Sequence, residues 1–178
     1  MSAATGRVDR FDARADVALE RVRGRSRVVD GLFHRASDVG DFSLIWQIVN
    51  VARGLVLRHY GEMLLFAGLL AAESLIVNQG VKRLFRRSRP TETGDPRYQV
   101  RRPRTSSFPS GHASSAVYAA SILTAWDGWA WSPLLFTVAI VVAVSRAYVR
   151  IHHASDVLGG AVLGAALAQA ALAIVRAV

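Results

Sequence analysis

With 178 residues the chain has room for one domain, 52% of it apolar, yet it carries 22 Lys+Arg against 13 Asp+Glu and a formal net charge of +9. There is no cysteine, which excludes a disulfide framework, a thiolate metal site and a cysteine nucleophile. High hydrophobicity and high basicity in one chain point to a membrane protein whose charges are gathered into polar segments.

Residues 1–41 mix eight Arg with seven acids. Val17, Leu19, Val22, Val28, Val29, Leu32 and Phe33 lie among those charges, so the segment reads as an amphipathic interfacial helix rather than a span. It has no apolar core of the kind a cleavable signal peptide needs. The chain is therefore divided into an N-terminal segment, 1–41, and a membrane catalytic domain, 42–178.

Residues 42–57 are apolar except for Gln47, Asn50 and Arg53, which suits a span with one face turned inward. Residues 63–77 form a stronger span, broken only by Glu73 and Ser74, and 81–109 reads as a long polar loop. Apolar segments follow at 113–126, 133–144 and 157–175, the last free of charge for 19 residues against the ~20 that cross a bilayer core. Ser132 is the expected N-cap of the middle one, with Pro133 in the first helical position. The fold class is all-α, a membrane bundle of about five spans. Gly160, Gly164 and Ala168 recur every four residues, a spacing that favours close helix contact within the chain or in a homo-oligomer.

Three polar clusters sit at span ends: "KRLFRRSRP" from Lys82 to Pro90, "PSGH" from Pro109 to His112, and "SRAYVRIHHASD" from Ser145 to Asp156. Singly they are weak, since basic runs flank many spans and Pro-Ser-Gly is ordinary loop punctuation. Counting crossings places all three on one side of the membrane. Together they offer Lys82, Arg89 and Arg146 as cations, Ser110 as a hydroxyl donor, and two histidines with a carboxylate. Such a set suits a phosphate, whose oxygens want fixed positive charge and N–H donors. A helix starting near Ser110 adds unpaired amides and a dipole end, and Gly111 lets backbone approach a ligand closely.

In this order and spacing the clusters resemble the type 2 phosphatidic acid phosphatase (PAP2) family, with signature K-x6-R-P, P-S-G-H and S-R-x5-H-x3-D. Lys82, Arg89, Pro90, Pro109, Ser110, Gly111, His112, Ser145, Arg146, His152 and Asp156 fill every specified position. The departure is at the N-terminus, where many membrane members have a full crossing. The resemblance implies a lipid phosphatase working through a phosphohistidine on a phosphomonoester or diphosphate, of the phosphatidate, phosphatidylglycerol phosphate or polyprenyl phosphate or diphosphate type. His152 would be the nucleophile and Asp156 would orient its ring, while His112 would serve as acid and then base. Lys82, Arg89, Ser110, Gly111 and Arg146 would hold the phosphoryl oxygens. Spacing within the turn alone leaves His153 as a rival nucleophile; the motif's gaps select His152 and make His153 a neighbour.

Arg86, Arg87, Arg101, Arg102 and Arg104 read as headgroup-attracting surface charges, and Glu92 and Asp95 as solvated loop acids. Glu73 is an acid inside a span, with Arg53 as its candidate partner and helix contact as its expected role. No cofactor is expected, and no metal, because divalent-metal phosphatases assemble more carboxylates than this side provides. The expected partners are a lipid phosphate substrate and the bilayer, not nucleic acid. Two other readings compete. A vanadate-haloperoxidase-like oxidase would share the anion pocket but be soluble and larger, and a basic membrane or nucleic-acid-binding protein would use the charge alone. With five spans, the active-site side carries 19 Lys+Arg against two on the other, which predicts a cytoplasm-facing site in the cell membrane.

Overall fold

A computed structural model describes residues 3–90 and 105–177. The described residues form seven α-helices and no strand: α1 (Ala3–Glu20), α2 (Arg27–Val39), α3 (Leu44–Leu57), α4 (Tyr60–Leu75), α5 (Gly111–Asp127), α6 (Ser132–Tyr148) and α7 (Ala154–Ala177). The loop residues Glu92, Asp95, Arg101, Arg102 and Arg104 lie outside them.

α5 runs through the middle of the bundle. Its Ala113, Ala116, Ala119, Ala120, Ile122 and Leu123 are all buried, as befits a helix with neighbours on most of its faces. α7 lies directly against it. A Cβ on Gly160 would sit 2.3 Å from the Ser110 carbonyl oxygen, and one on Gly164 would sit 2.2 Å from that of Ser114. The small-residue stripe is thus occupied within the chain, bringing two backbones together where a side chain would hold them apart. Trp46, Phe66, Leu70 and Val142 fill the space between α5 and its other neighbours.

Among the described residues, three helical stretches are long and apolar enough to cross a membrane: Tyr60–Leu84, Trp129–Tyr148 and Ala154–Ala177. Their outward faces are apolar, with Leu64, Ile140, Val162 and Ile174 all exposed. α3 and α5, of 14 and 17 residues, are shorter. One boundary differs from expectation. After Leu75 the helix passes through a π turn (Ile76–Gly80) and a 3₁₀ turn (Val81–Leu84), so Lys82 stands on helical backbone and not in a loop. Such turns re-aim the residues beyond them and recur at functional sites. At α6 the cap differs too: Trp131 is the N-cap, and the Ser132 hydroxyl donates back to the Trp129 carbonyl at 2.7 Å.

The N-terminal segment is two helices, and both dock on the bundle through defined contacts. Arg23, just after α1, donates from Nε to the Tyr148 carbonyl at 2.8 Å and from Nη2 to that of Ala147 at 2.9 Å. A cation is thereby placed at the C-terminal carbonyls of α6, the negative end of the helix. Phe33 of α2 stacks on Tyr148 with ring centroids 4.4 Å apart, and the Tyr148 hydroxyl donates to Asp30 at 2.5 Å.

Arg53 is not the partner of Glu73. Its Nε donates to both Asp127 oxygens at 2.6 and 2.7 Å, and its Nη2 donates to Glu62 at 2.6 Å. Glu62 and Glu73 stand eleven residues apart on one helix, on the order of 16 Å, so one guanidinium cannot serve both. Glu73 is buried and accepts from the Ser114 hydroxyl of α5.

Candidate active site

The four ends that converge are the tail of the α4 stretch, the N-terminus of α5, the C-terminus of α6 and the N-terminus of α7. Ser110 is the N-cap of α5, with its Oγ accepting from the Ala113 amide at 3.4 Å. The Ser110 amide donates to the Asp156 carbonyl at 3.0 Å, which ties the start of α5 to that of α7. At Gly111 a Cβ would meet Asn78 Oδ1 at 2.9 Å and Lys82 Nζ at 3.4 Å. The glycine therefore admits these two side chains to the head of α5.

His152 lies in the tight turn between α6 and α7, fully enclosed. Its Nε2 is 3.3 Å from Arg89 Nη1, and its Nδ1 is 3.4 Å from Ser107 Oγ and 3.6 Å from Asp156 Oδ2. A guanidinium only donates, so the network assigns Nε2 as the bare nitrogen and Nδ1 as the protonated one, facing the carboxylate. Burial, then the cations Arg89, Arg146 and Lys82, push the imidazole down to about 3 against the upward pull of Asp156, so the ring is neutral at physiological pH.

Asp156 is held from three directions. Arg87 Nη1 donates to Oδ1 at 2.5 Å, while Ser107 Oγ and the His153 amide donate to Oδ2 at 2.6 and 2.8 Å. Arg87 is thus not a headgroup charge. It also reaches Asp12 of α1 at 2.6 Å, and Asp12 accepts from the Ser155 amide and hydroxyl at 2.8 and 2.7 Å. Burial opposes the Arg87 charge, but the two carboxylates outweigh it and raise its affinity for the proton. His153 contributes its backbone, as a neighbour. Arg87, Ser107 and Asp12 escaped sequence reasoning, since each looks like the charges or hydroxyls beside it.

Arg89 is buried and fixed by the carbonyls of Ile151, Thr105 and Ser106 at 3.2, 3.2 and 3.1 Å. Arg146, also buried, donates to the Ser37 carbonyl at 3.1 Å and to the Ser37 hydroxyl. His112 Nε2 lies 2.9 Å from Asp41 Oδ1. The structure therefore brings Lys82, Arg89, Ser110, Gly111, His112, Arg146, His152 and Asp156 to one end of the bundle, with three buried cations around an uncharged imidazole. Such a pocket can receive a dianionic phosphate and present a nitrogen nucleophile to it.

Residues 61–178 match the family model described as the PAP2 superfamily. The decaprenylphosphoryl-5-phosphoribose phosphatase of Mycobacterium tuberculosis is 32% identical over 129 residues, 72% of this chain and 71% of that protein, in each of two strains. Among solved structures, a transmembrane PAP2-type phosphatidylglycerolphosphate phosphatase from Bacillus subtilis superposes with a TM-score of 0.73. The match covers 99% of this chain and 89% of that one at 23% identity, a likeness of fold.

Proposed function

The chain belongs to the PAP2 superfamily, and we propose that it hydrolyses a phosphomonoester on a membrane lipid through a phosphohistidine at His152. The observation that carries this reading is the ring of His152, with Nε2 toward Arg89 and Nδ1 toward Ser107 and Asp156. In the first half-reaction Nε2 attacks phosphorus, the bond to the lipid oxygen breaks, and His112 gives that oxygen its proton. Asp156 balances the positive charge the ring acquires on bonding phosphorus. In the second half, His112 takes a proton from water as the water attacks the phosphohistidine, which releases inorganic phosphate and restores both rings. Lys82, Arg89, Arg146, the Ser110 hydroxyl and the Gly111 amide stabilise the phosphoryl oxygens as charge builds on them.

The mycobacterial relative supports a phosphorylated sugar on a polyprenyl carrier as the first substrate to try, ahead of phosphatidate or phosphatidylglycerol phosphate. Phosphate release from each of these lipids in detergent tests the class. Activity that survives EDTA and is blocked by vanadate supports the mechanism, and activity that needs magnesium opposes it.

For orientation the charge count supports a site facing the cytoplasm. Setting aside Lys82, Arg89 and Arg146 as site residues, 16 basic residues remain on that side against two on the other.

A further inference from the structure

The elbow between α2 and α3 is built in an unusual way. Phe42 (φ 54°, ψ 21°) and Ser43 (φ 58°, ψ 28°) are consecutive non-glycine residues in the left-handed region, a conformation L side chains resist. Immediately before them, Gly40 lies so close to the site that a Cβ there would come within 2.7 Å of His112 Cδ2 and 3.0 Å of Val142 Cγ1. Between the glycine and the strained pair stands Asp41. Its carboxylate is 2.9 Å from His112 Nε2 and 3.9 Å from Arg146 Nη1. Strain and close approach both serve to press this one carboxylate against the Nε2 edge of the ring, and strain that persists is characteristic of functional positions.

We infer that Asp41 is a positioning residue for His112, giving the acid–base histidine its own carboxylate partner as Asp156 does for His152. This rests on the acid–base role proposed above for His112. The charged groups facing that ring are Asp41 from the elbow, Arg146 from α6 and Lys82 from the end of the α4 stretch. Burial and then the two cations oppose a protonated imidazole, yet a general acid must carry its proton when substrate arrives, and Asp41 supplies the opposing charge. Because the Nε2 edge stands beside the Asp41 carboxylate, Nδ1 is the nitrogen left to serve the reaction. It delivers its proton to the lipid oxygen as the P–O bond breaks, then recovers one from the attacking water. Asp38 of α2 also acts on Arg146, so the local carboxylates are not equivalent: among the described residues, Asp41 is the carboxylate that acts on the histidine.

The test compares leaving groups. Single-turnover phosphohistidine formation is measured with an alkyl lipid phosphate, whose alkoxide must be protonated, and with p-nitrophenyl phosphate, whose phenolate leaves without help. Asp41→Asn is expected to slow formation about tenfold or more from the lipid and less than about threefold from the aryl ester, within the range general acids command. The basic limb of its pH–rate profile for the lipid should move to lower pH, and Asp41→Glu should recover part of the loss. Equal losses on both substrates, an unmoved basic limb, or faster turnover in Asp41→Asn would overturn the inference. His112→Ala runs in parallel. If it shows the leaving-group dependence and Asp41→Asn does not, the inference alone fails; if His112→Ala loses both substrates equally, the acid role and the inference fail together.

Discussion

Arg89 Nη1 and His152 Nε2 stand 3.3 Å apart, a cation beside the nitrogen that attacks. Burial keeps the imidazole unprotonated in the resting site, this positive charge adds to that effect, and it marks where phosphoryl oxygens collect. Arg89→Ala should lower turnover on lipid phosphate about 10²–10³-fold, the usual cost of removing one transition-state donor. Arg89→Lys should recover only part of it, because a point charge cannot also hold the carbonyls of Ile151, Thr105 and Ser106. Initial rates, with circular dichroism as the folding control, check both.

Arg87 should matter for a different reason. Asp156 is buried, and removing the guanidinium leaves its charge uncompensated, so Arg87→Ala should destabilise the protein by about 3 kcal/mol as well as slow it. Arg86→Ala, at the adjacent exposed position, should change the melting temperature little. Thermal melts in one detergent decide between them.

Three spans were legible because apolar runs of membrane length admit few alternatives, and the three motif clusters because their spacings are long and specific. Other features have no local signature. Arg87 stands among arginines and Ser107 among hydroxyls, and only the docking of α1 and the turn before α5 distinguishes them. Asp12 and Asp41 belong to a segment of mixed charge whose packing on the site is a tertiary fact. The π turn that carries Lys82 onto helical backbone left no mark in hydropathy. Glu73 was visible as an oddity, but the pairing of Arg53 with Asp127 and Glu62 depends on which ends of α3, α4 and α5 meet.

The neutral state of His152 has a consequence for pH. An unfolded chain protonates this histidine below ~6.5, whereas the folded one holds it neutral down to about 3. Between those values the unfolded state binds more protons, so stability rises with pH across the window. The contribution is complete above it and is lost progressively as the medium is acidified. His152→Asn should flatten this part of a plot of melting temperature against pH. An unchanged slope would mean the histidine is already charged in the fold.

Gly164→Ala places a methyl group 2.2 Å from the Ser114 carbonyl oxygen. Backbone cannot yield as a side-chain tip can, so α5 and α7 must separate and the protein should lose at least ~1–3 kcal/mol of stability, the usual cost of overpacking. Gly68→Ala, with nothing within 4 Å of the added atom, should be tolerated. Detergent melts of the two variants side by side test this.

Because the chain has no cysteine, single introduced thiols report topology cleanly. A cytoplasm-facing site predicts that Thr93→Cys is shielded from an impermeant maleimide in intact cells while Trp129→Cys reacts. The reverse pattern would invert the protein in the membrane.

The phosphohistidine itself is the most direct test. Purified protein is mixed with ³²P-labelled lipid phosphate, quenched under alkaline conditions that preserve phosphoramidates, and digested for peptide mapping. The account predicts label on His152, persisting longer in His112→Ala and absent from His152→Ala. Label on His153, or full turnover by His152→Ala, would contradict it.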